Sequence, residues 1–219
     1  MRNYTNKQEF IVRNITDNNF QFRDFSGCDL QGIDLSGIDL SNITLIGANL
    51  KGANLKNANL TNANLSGANL TQACLRDANL YEASLCEANL SNADLTNANL
   101  CGAFLWRVKL VGSMLTSASL CDADLSEADL GRAKLTEASL IEANLIRANF
   151  KGAKLCGAVL VEANLNQANL THADLSWANL IGANLTAANL WDTKLNNVKL
   201  RDTIMPDGSL SQHDIVLIS

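Results

Sequence analysis

The run Ala48-Asn49-Leu50-Lys51-Gly52, Ala53-Asn54-Leu55-Lys56-Asn57, Ala58-Asn59-Leu60-Thr61-Asn62, Ala63-Asn64-Leu65-Ser66-Gly67 writes one five-residue unit four times. Working outward from it, the same period holds without a slip from Phe10 to Leu200. Phe10, Ile15, Phe20, Phe25 and Leu30 open the series, and every fifth residue after them is Leu except Phe150. From Ala48 onward the residue two places before each of these is nearly always Ala, and the one immediately before is usually Asn, Asp or Ser. The unit is A-(N/D)-L-x-x, and a repeat this persistent has to be read before any helix or strand is assigned.

Neither regular structure can use a period of five. On an α-helix five residues turn through about 500°, so the leucines would spiral over every face. On a flat strand five is odd, so successive leucines would point to opposite sides. The pattern works only if the chain bends once per unit and keeps each Leu on the concave side. Four bends close a square, giving a twenty-residue coil that stacks on the next; with strands about 4.8 Å apart, ten coils make a rod of about 48 Å. Eleven of the thirteen glycines fall two places after the large residue, as expected of a corner with positive φ. Asn before the Leu suits the same corner, because its short amide bonds to nearby backbone.

The units from Ala48 to Gly67 closely resemble the pentapeptide-repeat family, and the resemblance covers about nine-tenths of the chain. It implies an all-β fold, a right-handed quadrilateral β-helix with four pentapeptides per coil, Leu or Phe at the centre of each face and Ala beside it. It implies little about function, since most members have none assigned. Type II topoisomerase binding by DNA mimicry, as in the quinolone-resistance members, is one role it brings into view.

A stacked rod has two open edges that need covering. Arg13, Asn18 and Arg23 stand where Ala belongs and do not suit a tight apolar bore, so residues 1–25 read as a cap or irregular first coil. The β-helix proper is placed at 26–203; its first coil carries Cys28, Ile33, Ile38 and Ile43 at the small position and is expected to be wider. Residues 204–219 read as a turn, Met205-Pro206-Asp207-Gly208, followed by an apolar tail, Ile215-Val216-Leu217-Ile218. The tail reads as a lid on the last coil, which leaves a monomer; a dimer contact is the alternative. This ending also resembles that of many cyanobacterial members of the family.

Composition narrows the function classes. A net charge of −5 carries no basic stripe for direct nucleic-acid binding. The imbalance sits in the middle: residues 76–145 hold ten acidic and five basic side chains, while 1–75 and 146–219 hold six of each. No apolar run approaches the length of a membrane span, and the first ten residues show no apolar secretory core. Six irregularly spaced cysteines form no disulfide framework or metal signature, which points to free thiols in the reducing cytoplasm. Cys101 and Cys121, one coil apart, come within range of a bridge, with separate thiols the favoured reading. The two histidines, His172 and His213, lie apart, His172 at a solvated corner, and a convex rod is expected to offer no pocket. We expect no enzyme, cofactor or metal.

The expected working surface lies outside. Grouped by twenty, the residues just after Leu on one face are Tyr81, Cys101, Cys121, Ile141, Val161 and Ile181, an apolar stripe that ends at Arg201. Beside it run Glu82, Gly102, Asp122, Glu142, Glu162, Gly182 and Asp202, an acidic rail. The repeat is least regular at 104–114, where Phe104 replaces Asn and Trp106 faces outward. Tyr81, Cys101, Phe104, Trp106, Cys121, Ile141, Val161 and Ile181 are the candidate surface for an unidentified protein partner, in a protein-protein interaction or scaffold module. The competing reading is that like residues stack only because they pack and that the irregular coil is a bulge. Topoisomerase mimicry is the alternative role, favoured by the rod and the rail. Ice ordering by flat Asn/Thr faces is disfavoured by the charged corners.

Overall fold

A computed structural model describes residues 23–212. Its backbone pairs with itself at one spacing. Parallel bridges join Asp24 to Thr44, Asp29 to Asn49, Asp34 to Asn54 and Asp39 to Asn59, and the same twenty-residue step continues to the pair Asn184–Ile204. One coil is therefore four pentapeptides, each contributing one short strand and one corner.

Tracing the hydrogen bonds of one unit explains its sequence. In the unit Ala48–Gly52, Leu50 donates to Asn69 O at 2.8 Å and Gly52 to Thr71 O at 2.9 Å, both in the next coil. Asn49 donates back to Cys28 O at 2.9 Å, and Ala48 closes the preceding corner on Leu45 O at 3.1 Å. Four backbone donors of the five are thus satisfied by backbone. The fifth, Lys51 N–H, goes to Asn49 Oδ1 at 3.3 Å. That is the reason for Asn or Asp at this place: its oxygen satisfies the one donor the ladder leaves over. The amide end is used as well, since Asn49 Nδ2 donates to Asp29 Oδ1 at 2.8 Å and Asn69 Nδ2 to Asn49 Oδ1 at 3.2 Å.

The corners carry φ near +60° two places after each large residue, as at Gly52 (+64°), Asn57 (+57°) and Glu127 (+58°). Glycine takes this conformation freely, whereas another residue gives up about 1 kcal/mol or more. The coil ladder holds even Trp177 there, at +65°.

The bore is dry and packed. Every large residue from Leu30 to Leu185, Phe150 included, is buried, and Ile33, Ile43, Val108 and nearly every Ala beside them are buried with them. Cys28 and Ile38 are half-buried against this core. A single coil has too little apolar surface to offset the ordering of its own backbone, so stability comes from stacking neighbours. Ser113, in the place of Ala, is fully buried. Its hydroxyl donates to Leu110 O at 2.7 Å, a carbonyl that already receives Ser113 N–H at 3.1 Å. Removing that hydroxyl strands no partner, so Ser113→Ala should leave the unfolding free energy within about 0.5 kcal/mol of the parent or raise it. A loss above about 1.5 kcal/mol in a melting experiment would contradict this view of the bore.

At 104–114 the ladder is regular: Phe104, Lys109 and Met114 donate to Ala83, Ala88 and Ala93 carbonyls at 2.9, 2.9 and 3.0 Å. The expected alternative of a bulge is therefore corrected. The place before Leu faces outward, so a large side chain there disturbs nothing inside.

Near the C-terminus the coil gives way to a hairpin, with an antiparallel bridge between Ile204 and Leu210. Its loop has Met205 N–H on Ser209 O at 2.8 Å, Gly208 N–H on Met205 O at 2.9 Å, and Gly208 at φ +83°. Pro206 sits at the first loop position, where it forfeits no ladder bond. Arg23 and Phe25 are described, Phe25 half-buried against the core. The remaining expected cap residues, Arg13 and Asn18 among them, and the tail Ile215–Ile218 lie outside the described residues.

The first regular coil carries Asp24, Asp29, Asp34 and Asp39 where later coils favour Asn. Hydrogen bonds from the hydroxyl and backbone N–H of Ser26 and of Ser36 hold the Asp24 and Asp34 carboxyls below their ordinary value. The backbone N–H and hydroxyl of Ser41 do the same for Asp39. A carboxylate lowered on folding contributes stability above its unfolded value of about 4, and that contribution is lost as pH falls through the lower folded value. The melting temperature should therefore be flat above pH ~5 and fall below pH ~4. Asp34→Asn with Asp39→Asn should flatten that acid limb; an unchanged limb would place the acid sensitivity elsewhere.

Candidate interaction surface

Each pentapeptide supplies one face, with its third residue at the centre and its last two at the corner. Residues 101–107 therefore span one corner, one face and the next corner, and their stacks make one continuous side of the rod.

On the first corner stand Tyr81, Cys101, Cys121, Ile141, Val161 and Ile181. Tyr81 is 43 % exposed, while the other five are half-buried. The stripe is continuous, and its own members cover part of it. Backbone bonds tie it to the rail, with Glu82 N–H on Cys101 O at 3.1 Å, Asp122 on Ile141 O at 2.9 Å and Glu162 on Ile181 O at 3.0 Å. A hydrogen bond to Glu82, and the charge of that carboxylate, push the Tyr81 hydroxyl up. Burial pushes the Cys101 thiol up, assisted by the neighbouring Cys121. Cys121 Sγ lies 3.2 Å from Ser139 Oγ, and all six cysteines are free thiols.

Phe104 lies on the face between the two corners and is 54 % exposed. Trp106, on the second corner, is half-buried under the Arg107 guanidinium, 4.4 Å from the ring centroid. Arg107 Nε then meets Glu127 Oε2 at 2.7 Å, and Arg147 Nη2 meets Glu127 Oε1 at 3.1 Å. The stripe, Phe104 and Trp106 are thus on one side of the rod, with the acidic rail running between the stripe and Phe104 and this Arg-Glu-Arg ladder beyond Trp106. Solvent screens such exposed ion pairs, so the ladder adds little to stability. It does fix the Trp106 ring.

Sequence reasoning gave Trp177 and Trp191 no role, yet they are 65 % and 66 % exposed, above any stripe residue. Trp191 packs edge-on against the His172 ring at 4.7 Å, and His172 Nδ1 meets Asp192 Oδ2 at 2.7 Å. His172 is exposed but partnered rather than simply solvated.

The expectation of a rod without concavity is also corrected. A cavity of about 450 Å³ opens on a third corner, around Gly131 and Gly152, with Arg132, Lys151, His172 and Asp129 on its walls. It forms because Gly131 stands where its stack neighbours Val111 and Lys151 carry side chains. Among the described residues, no group of three His, Cys, Asp or Glu side chains is placed to hold a metal ion. Nor, among them, is any helix long and apolar enough to cross a membrane.

Comparison with known proteins agrees with the coil. A family profile of eight pentapeptide repeats matches successive overlapping segments between residues 24 and 215. HetL, a pentapeptide repeat protein involved in heterocyst differentiation regulation from the cyanobacterium Nostoc sp. strain PCC 7120, is 38 % identical, over 86 % of this chain and 81 % of HetL, with a TM-score of 0.37. Full-length QnrB1, a plasmid-mediated fluoroquinolone resistance protein, is 22 % identical over 82 % of this chain and 94 % of its own, with a TM-score of 0.54. A pentapeptide repeat protein of the Arabidopsis thaliana thylakoid lumen is 34 % identical over 47 % of this chain and 65 % of its own, with a TM-score of 0.35. No curated protein matches the chain.

Proposed function

We propose, from the premise that this chain belongs to the pentapeptide repeat family, that it is a non-enzymatic protein-binding rod working in the cytoplasm. Its hand is taken as right, as in the family. The observation that carries the reading is the side bearing Phe104, Tyr81 and Trp106 with the stripe Cys101, Cys121, Ile141, Val161 and Ile181. Apolar groups line up there over about six coils, beside a rail of carboxylates, on a backbone whose ladder cannot flex to hide them. Exposed aromatic and aliphatic groups set beside charged ones suit a protein interface. Free thiols support a reducing compartment.

The test replaces Phe104 and Ile141 with Ser. Phe104 is exposed and its loss should change stability by no more than about 0.5 kcal/mol, while half-buried Ile141 should cost about 1 kcal/mol and keep the fold. A partner retained from the source cell by the parent rod should be lost by the variant; the same partners on both would end the proposal.

A second reading rests on the acidic rail of Glu82, Asp122, Glu142, Glu162 and Asp202. A rod with a line of carboxylates could occupy the DNA site of a type II topoisomerase, the role that the quinolone-resistance members bring to mind. A gyrase supercoiling assay with and without a quinolone decides it, since no effect at micromolar protein excludes this role.

A further inference from the structure

The notch on the third corner is independent of that surface. Ten residues along the chain is half of a twenty-residue coil, so the corner carrying residues 131–132, 151–152 and 171–172 lies diagonally across the rod from the acidic rail. Its charge is of the other sign.

Two basic residues, Arg132 and Lys151, together with His172 line the notch around Gly152. Lys151 is its chain neighbour on the corner. Arg132, one coil earlier in the same stack, runs along the rod so that its Cγ lies 3.5 Å from where a Cβ on Gly152 would be. His172 is the next residue of that stack, its ring fixed by Asp192 at Nδ1 and by the edge of Trp191. Arg132 and Lys151 make no ion pair among the described residues. Lys134 and Lys154 stand exposed two places further on from Arg132 and Gly152 and add to the field.

The floor is held open by glycine. Gly131 is buried, and a Cβ there would come within 3.2 Å of Asp129 Oδ1. That oxygen is already occupied, accepting Gly131 N–H at 3.0 Å and the Asn149 amide at 2.8 Å. The one carboxylate of the wall thus serves the corner, and unpaired positive charge remains around an open space of about 450 Å³. That volume is within the range of small-molecule sites.

We infer that this notch binds a small oxyanion, a phosphate or carboxylate group, with Arg132 and Lys151 as its charged donors and His172 on its far wall. Arg132 and Lys151 both line the space, and their side chains suit such a group, because charge-assisted hydrogen bonds are the strong ones and Arg offers a planar fork.

The experiment is an NMR titration of the full chain at low ionic strength with inorganic phosphate and, separately, with glutarate. Saturable shifts of the Gly131 and Gly152 amides and the His172 ring are expected with at least one of the two anions, and the arm that saturates identifies the chemistry. Arg132→Ala and Lys151→Ala should each weaken binding about tenfold. Lys51→Ala with Lys56→Ala, far along the rod, should leave it unchanged. Shifts that never saturate with either anion, or affinity indifferent to Arg132 and Lys151 in variants that melt like the parent, would overturn the assignment.

Discussion

Leu125→Asp is expected to abolish cooperative unfolding of the rod, while Leu125→Ala should lower stability by about 3 kcal/mol and keep the fold. Leu125 is fully buried, and its neighbours in the bore are the equally buried Leu105 and Leu145 of the adjoining coils. Truncation removes apolar contact and leaves a cavity that two rigid coils cannot close. A carboxylate has no partner there and no route to water, because each side of the bore is a hydrogen-bonded ladder. The cost of burying an unpaired charge exceeds the whole stability of an ordinary domain, so the chain gives up the coil or protonates the group. Since coils depend on their nearest neighbours, damage in the middle should spread to both sides. Thermal melts by circular dichroism read both variants, and a cooperative Leu125→Asp melt near the parent's would place this residue in water rather than in a bore.

Proline gives the second large effect and tests the hydrogen-bond arrangement directly. Asn99 N–H donates to Ala78 O at 2.9 Å, its Oδ1 accepts Cys101 N–H at 3.2 Å, and its Nδ2 reaches Asn79 Oδ1 at 2.9 Å. Asn99→Pro removes all three and sets a ring against the preceding coil, so a loss of about 3 kcal/mol or more is expected. Thr96 is three residues away, and its N–H donates only to the Asp94 side chain, at 3.0 Å. It is the first of the two corner residues, the second position of the turn that Ala98 N–H closes on Leu95 O at 3.0 Å, where proline's fixed φ suits the turn. Thr96→Pro should therefore change stability by no more than about 1 kcal/mol. The chain places its only proline, Pro206, at the same register. Equal losses from the two substitutions in denaturant titrations would mean that the donors are not distributed as described.

Much of this was legible because one residue type answers to one physical demand. Leu at every fifth place is the bore, Gly at a fixed offset is the positive-φ corner, and Asn before Leu caps the donor that the ladder cannot use. What escaped the sequence reading depends on neighbours twenty residues apart. Gly131 is one place off the register of the corner glycines and so carries no turn signal. Its meaning appears only when it is stacked between Val111 and Lys151, with Arg132 reaching over Gly152. Grouping by twenty found the stripe and the rail, and the same grouping on the opposite corner would have found the notch. Phe104 looked disruptive in sequence because it breaks the pattern at a place that faces solvent, where the fold does not read it. The exposure of Trp177 and Trp191 follows from their corner register alone.

The central claim is that residues twenty apart lie one strand spacing apart along a straight axis. Spin labels at Lys51 and Lys151, on one corner five coils apart, measure it by pulsed electron resonance in a chain whose native cysteines are replaced. A narrow distribution near about 24 Å is expected, lengthening by about 5 Å when the second label moves from Lys151 to Thr171. A broad distribution, or a separation that does not step by one coil for twenty residues, would contradict the stacked rod and every site placed on it.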